Sequence, residues 1–346
     1  MRIRVTVRSP ARRFTDVDDH EAHRYSGGFL RHIAARPQEP SLNRFICGLL
    51  TLLCVLLAAA AQSESDSDAD SGLSIGVALG SGGAGGLAHI AMLQVFDDKG
   101  IKPDEIAGTS IGAVIGVMYA AGLSAAEIRD IFDDFSGSNL DALSKLMKRN
   151  SELRLRDLLR LDFDNGGVFD AGGFIDFITG KFEAETFEEL KIPLLVVATD
   201  YWTGEAVVLA EGDLAAAIKA SMAVPGLFAP VKMDDKLLLD GGMSNPLPYD
   251  LLADDHDLIV AVDVSSTRSA GEDDEPEVLD LLFSTFEIMQ QSIIAARMQS
   301  EEPDIYVKPD TSDIRLLHFN RIEKILEKAE PAAQKFADEL DAYLER

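Results

Sequence analysis

Gly108-Thr109-Ser110-Ile111-Gly112 fits G-x-S-x-G, a turn that lifts a serine hydroxyl from the end of a strand onto the start of a helix. Glycine flanks the serine because a side chain at either position clashes in so tight a turn. On its own the pentapeptide is also compatible with an ordinary glycine-rich loop, so its surroundings decide. Leu73-Ser-Ile-Gly-Val-Ala-Leu79 is a short apolar run that ends in glycines and predicts a buried strand. Leu87 to Lys99 carries apolar residues at helical spacing and stops at Gly100. Ile106-Ala107 leads into the pentapeptide, and Ala113 to Ala121 predicts an apolar helix closed by Gly122. Strand, glycine loop, helix, strand, serine turn and helix in that order imply parallel strands and an α/β class.

The elements further on fit that class. Residues 123–190 read as mostly helical, broken at Gly166-Gly167 and Gly172-Gly173. Pro193 to Thr199, Ala206 to Leu209, Lys236 to Asp240, Leu258 to Asp263 and Ile305 to Lys308 predict strands. Asp213 is expected to cap a helix over 214–222. Val278 to Met298 predicts an amphipathic helix after an acidic loop at 268–277, and 320–345 predicts one or two terminal helices.

Ahead of this body the composition changes. Residues 45–61 are uncharged and apolar, Arg44 precedes them, and Ala59-Ala60-Ala61 stands before Gln62. Basic flank, apolar run and small-residue exit are the marks of a signal peptide. The expected location is therefore exported, in the periplasm, with an uncleaved membrane anchor as the alternative. The acidic, serine-rich stretch 63–72 reads as a linker. The organisation expected is an N-terminal extension over 1–62, the linker over 63–72 and one folded domain over 73–346.

Charge and cysteine usage exclude several classes of function. The chain's formal net charge is −27; residues 1–62 contribute +4, which leaves −31 on the rest. Nucleic acid is excluded as a partner, because phosphate binding needs clustered Lys and Arg. Both cysteines, Cys47 and Cys54, lie in the apolar run, so the folded domain has no disulfide, no cysteine nucleophile and no thiolate metal site.

Gly80-Ser-Gly-Gly-Ala-Gly-Gly86 lies between a predicted strand and helix. Such a loop can aim backbone N–H groups at a phosphate or at the oxyanion of an ester intermediate. It also matches the dinucleotide pattern G-x-G-x-x-G through Gly80, Gly82 and Gly85. That pattern wants an acid at the end of the second strand, and here that strand ends at a serine. A serine nucleophile needs a proton acceptor. His89, His256 and His318 are the histidines beyond the apolar run; His256 reads as part of a solvated loop, and none is placed as a triad base. Asp240, ending an apolar strand before Gly241-Gly242, is the better candidate, expected at the carboxyl edge of the sheet.

Together, Gly80 to Ile90, Gly108 to Gly112 and Asp240-Gly241-Gly242 resemble the patatin-like phospholipases. Ala220-Ser-Met-Ala-Val-Pro-Gly-Leu-Phe-Ala-Pro230 and Asn245-Pro-Leu-Pro248 look like the bacterial branch of that family. The resemblance implies a three-layer α/β sandwich with a central, mostly parallel sheet. It implies a Ser-Asp dyad, Ser110 as nucleophile and Asp240 as base, acting on acyl ester lipids with no metal or organic cofactor. Membrane or micelle contact would be transient. Amides of Gly82, Gly83, Gly85 and Ile111 would form the oxyanion hole, with Gly80, Gly108, Gly112, Gly241 and Gly242 shaping the motifs. The family's Arg or Lys two residues before Leu87 is replaced here by Gly85. That departure keeps open a lipid-binding protein with a degenerate site, alongside the less favoured dinucleotide-binding oxidoreductase. Ser221 reads as helix-end structure, not as a second nucleophile, since it has no flanking elbow glycines.

Overall fold

The computed structural model describes residues 73–135, 171–266 and 278–345. The expected signal or anchor segment, the linker at 63–72, the break at Gly166-Gly167 and the acidic loop at 268–277 lie outside them. No helix among the described residues is long and apolar enough to cross a membrane.

The described strands form one sheet. They are β1 (Ile75–Leu79), β2 (Glu105–Thr109), β3 (Leu194–Asp200), β4 (Ala206–Leu209), β5 (Val231–Met233), β6 (Lys236–Asp240), β7 (Leu258–Val262) and β8 (Ile305–Val307). Hydrogen-bonded pairing runs along the path β5-β6-β3-β2-β1-β7-β8, with β4 also paired to β3. Pairs β1–β2, β1–β7, β2–β3 and β7–β8 are parallel, whereas β3–β4, β3–β6 and β5–β6 are antiparallel. The helices are α1 (Ala88–Lys99), α2 (Ile111–Ala120), α3 (Ala125–Phe135), α4 (Gly172–Thr179), α5 (Leu214–Ser221), α6 (Val278–Met298) and α7 (Ile322–Leu344).

Successive strand residues point to opposite faces, and both faces here are covered. Val77, Leu79, Ile106, Val260 and Val262 join the larger core with α1, α2, α5 and α7. Their neighbours Ala78, Ala107, Ile259 and Ala261 pack on the other side against Leu247, Tyr249, Leu252 and Ile294 of α6. Burial on both faces explains why β1 and β7 read as continuous apolar runs without alternation. The result is the helix–sheet–helix sandwich that the resemblance implied.

Some elements differ from the expectation. The pair Gly172-Gly173, expected as an interruption, forms the first turn of α4. Of the one or two terminal helices expected, residues 322–344 form one, as that reading allowed, with Pro331 inside it, although proline supplies no N–H to the preceding turn. Packing of Ile325, Ala329, Ala333, Phe336 and Leu340 into the core holds the helix together across it. The short strand β5 is an addition, recruited by its antiparallel register on β6 (Val231↔Leu238, Met233↔Lys236). Asp213 does cap α5, its carboxylate accepting the Ala216 N–H at 2.8 Å.

The second glycine of the pentapeptide seats α2 on the end of β1. A Cβ at Gly112 would sit 2.0 Å from the Leu79 carbonyl oxygen, a backbone atom that cannot swing aside. Gly112→Ala is expected to cost at least about 3 kcal/mol of stability, as forced overpacking does. Urea denaturation followed by circular dichroism measures it; a loss under about 1 kcal/mol would contradict this close approach.

Candidate active site

Sheet register brings the two motif residues together. Strand β3 has three partners. It pairs with β4 along Val196 to Thr199, with β2 along Leu194 to Val197, and with β6 along Ala198 to Asp200. A strand has only two hydrogen-bonding edges. Since β4 overlaps both other partners, β2 and β6 must share the opposite edge, end to end. Thr109 stands opposite Val197, and Asp240 stands opposite the next residue, Ala198. Strand β2 therefore stops where β6, arriving from the other direction, also stops. Asp240 does reach the carboxyl edge of the parallel strands, and it does so at the end of an antiparallel strand. Gly241 makes the junction possible, because a Cβ there would lie 2.2 Å from the Val197 carbonyl oxygen.

At the junction Ser110 donates its hydroxyl to Asp240 Oδ2 at 2.6 Å. Ser110 has φ 55° and ψ −120°, a region that costs a non-glycine residue roughly 1–3 kcal/mol. Its N–H is held by the Ser221 hydroxyl at 2.8 Å. Asp240 is locked from several sides. Its Oδ1 accepts the Gly242 N–H at 2.7 Å, its N–H goes to the Ala223 carbonyl at 3.0 Å, and its own carbonyl accepts the Thr199 hydroxyl at 2.8 Å. Asp240 is fully buried and Ser110 nearly so. Burial pushes the Asp240 carboxyl up to about 7, outweighing the Ser110 and Gly242 hydrogen bonds, which pull it down.

The glycine loop lies beside this pair. Gly80 N–H is bound to the Val262 carbonyl, Ser81 N–H to that of Pro246 and Ala84 N–H to that of Leu316. Gly83 takes φ 55°, which glycine adopts at little cost. The Gly85 N–H is engaged by the Gly82 carbonyl at 3.2 Å. This corrects the expectation that Gly85 offers a free donor: the loop closes into a 3-10 turn there, and that turn uses the amide. The N–H groups of Gly82, Gly83 and Ile111 have no acceptor among the described residues. For Ile111 the reason is its place in the first turn of α2, where a helix leaves its donors unpaired. A Cβ at Gly85 would lie 3.3 Å from both Thr311 Cβ and the Val264 carbonyl oxygen. A side chain at this position would therefore press on Thr311 and on the Val264 carbonyl.

None of the three histidines of the folded body bonds to Ser110. His89 is fully buried, and its Nε2 lies 2.8 Å from the Gly80 carbonyl oxygen, which it braces. Burial holds its imidazole down at about 4, so it is neutral near pH 7. His256, expected in a solvated loop, instead packs against Gly76 and pairs with Glu105 at 3.1 Å. Glu105 begins β2 and Ser110 follows its end, so His256 sits at the opposite edge of the sheet. His318 Nδ1 accepts the Arg315 N–H.

Sequence reasoning missed one neighbour of the site. Gln290 of α6 is buried, and its amide donates to the Ser81 hydroxyl at 2.8 Å. It sits over Gly242, where a Cβ would lie 2.1 Å from Gln290 Nε2 and 2.9 Å from Asp240 Oδ1. A signal for it was present. Phe283, Glu287, Gln290 and Ile294 form the buried stripe of α6, and two polar residues on such a stripe need polar company.

The family model described as patatin-like phospholipase matches residues 77–253. The chain belongs to the patatin-like phospholipase family. An uncharacterized NTE family protein of Mycobacterium tuberculosis is 35% identical over 200 residues, covering 57% of this chain and 51% of that protein. A patatin-like phospholipase domain-containing protein of Caenorhabditis elegans is 33% identical over 193 residues, 55% of this chain and 13% of that protein. The chain spans about half the length of that mycobacterial relative. Among solved structures, VipD from Legionella pneumophila superposes with a TM-score of 0.41 at 14% identity, over 77% of this chain and 67% of that one. The patatin-like match takes in the glycine loop, the serine turn and Asp240 together.

Proposed function

We propose that the protein is a serine acyl hydrolase acting on lipid esters through the Ser110–Asp240 dyad. The observation that carries this reading is the 2.6 Å hydrogen bond from Ser110 Oγ to Asp240 Oδ2 in a pair that is almost wholly buried. Ser110 Oγ attacks the ester carbonyl carbon as its proton passes to Asp240. Negative charge gathers on the carbonyl oxygen, and the unpaired N–H groups of Gly82, Gly83 and Ile111 receive it. The carbon–oxygen bond to the leaving alcohol breaks, and Asp240 returns the proton to that alcohol. Water then attacks the acyl-Ser110 ester, losing its proton to Asp240. The fatty acid leaves, and Ser110 regains its hydrogen. Family membership supports the lipid substrate class.

A lipid-binding role without turnover is the second reading, favoured only by Gly85 and the packing of Thr311 and Val264 around it. A fluorophosphonate probe with peptide mapping, run beside a panel of phospholipid, lysophospholipid and acylglycerol esters, separates the two. Labelling at Ser110 with release of fatty acid is expected. Lipid binding with neither labelling nor release would establish the second reading instead.

A further inference from the structure

The ladder between β2 and β3 ends in an unusual way. Ile106 N–H donates to the Pro193 carbonyl at 2.9 Å, with Ile106 opposite Leu194. A parallel ladder repeats every two residues, so Gly108 N–H falls on the Leu195 carbonyl and, one repeat further, Ser110 N–H would fall on that of Val197. It does not. Ser110 N–H donates to Ser221 Oγ at 2.8 Å, and Ser221 Oγ donates to the Val197 carbonyl at 2.6 Å. One side-chain hydroxyl has been inserted into the ladder where strand β2 stops. Ser221 is fully buried and ends α5. Two residues on, the Ala223 carbonyl accepts the Asp240 N–H at 3.0 Å. The short segment Ser221 to Ala223 therefore grips the backbone of both members of the dyad.

We propose that Ser221 is a positioning residue: its inserted hydroxyl ends β2 and holds Ser110 off the sheet, in the backbone conformation that aims Oγ at Asp240. This rests on the reading of Ser110 as nucleophile. Ser221 is no second nucleophile, because its proton is given to Val197 and its oxygen accepts Ser110. A further consequence concerns the oxyanion. The Ser110 amide is withdrawn from it, so charge stabilisation falls to Gly82, Gly83 and Ile111. Without the hydroxyl, Ser110 N–H is left to reach for Val197 directly, which draws the elbow toward the sheet and Oγ away from Asp240.

The test compares Ser221→Ala and Ser221→Thr in the full chain, using p-nitrophenyl butyrate turnover and the rate of fluorophosphonate labelling. For Ser221→Ala, kcat and the labelling rate are expected to fall together by about 30- to 100-fold, with KM within twofold, the scale of a small misplacement of a reacting group. The acid limb of the pH profile is expected to move up, because the Ser110 hydrogen bond that pulls the Asp240 carboxyl down is lost. Ser221→Thr keeps the hydroxyl and is expected to recover most of the rate. A Ser221→Ala enzyme within threefold of wild type, a change confined to KM, or no recovery in Ser221→Thr would overturn the proposal. Hydrogen exchange on the wild-type chain tests it without any variant. The Ser110 amide is expected to exchange slowly, and fast exchange would overturn the bond to Ser221. A wild-type protein that neither turns over esters nor labels would instead remove Ser110 as nucleophile, leaving hydrogen exchange to judge the clamp.

Discussion

Asp240→Asn is expected to lower kcat by about 10³-fold while making the folded protein more stable above pH 7. The rate loss follows from removing a general base already placed on the nucleophile. The stability gain follows from burial. The Asp240 carboxyl is held up at about 7 in the folded chain, whereas an unfolded aspartate titrates near 3.9. Between those two values the folded state binds more protons than the unfolded state, so stability falls as pH rises through the window. The full loss is present above about pH 7 and is on the order of 4 kcal/mol. An amide carries no charge and escapes this cost. Urea midpoints for both proteins at pH 4 and pH 8 measure it: the variant should gain at pH 8 and match wild type at pH 4. Equal midpoints at both pH values would mean that Asp240 is not buried as a reluctant anion. The same shift predicts that wild-type kcat/KM climbs about tenfold per pH unit below 7 and levels off above it.

Ser110→Ala and Ser110→Gly should both lose turnover, by about 10⁵-fold or more, since each removes the attacking oxygen. Their stabilities should differ. Both variants give up the same hydrogen bond to Asp240, so that loss cancels in the comparison. Alanine keeps a Cβ at φ 55° and ψ −120°, with the strain that a side chain suffers there. Glycine relieves it, at the smaller expense of a more flexible unfolded chain. The glycine variant is expected to be more stable than the alanine variant by about 1 kcal/mol. An alanine variant equal to or more stable than glycine would show that the elbow carries no such strain. It would also weaken the case that Ser221 holds Ser110 against its preference.

Much of this molecule was legible along the chain because local chemistry announces itself locally. Apolar runs announced β1, β2 and β7, and glycines closed the first of them. Asp213 announced the start of α5 through the hydrogen bond that its side chain makes three residues on. The serine turn and the Asp-Gly-Gly stop each require small residues at fixed offsets, so both could be recognised with no knowledge of the partner. What stayed hidden depended on distant residues meeting. Strand β5 has no strong pattern of its own and exists by pairing with β6. The Gly85 amide looked free until the loop closed on Gly82. Gln290 and Ser221 looked like helix residues, and their roles appear only against Ser81 and Ser110, 209 and 111 residues away.

The sequence by itself determined the reacting groups and the turns that can present them, because those turns admit only glycine at fixed offsets from the serine or the aspartate. Tertiary structure decided that the groups meet. The meeting depends on β2 and β6 stopping one residue apart on the same edge of β3, with one hydroxyl from α5 closing the gap, and strand register of that kind is written in no single segment.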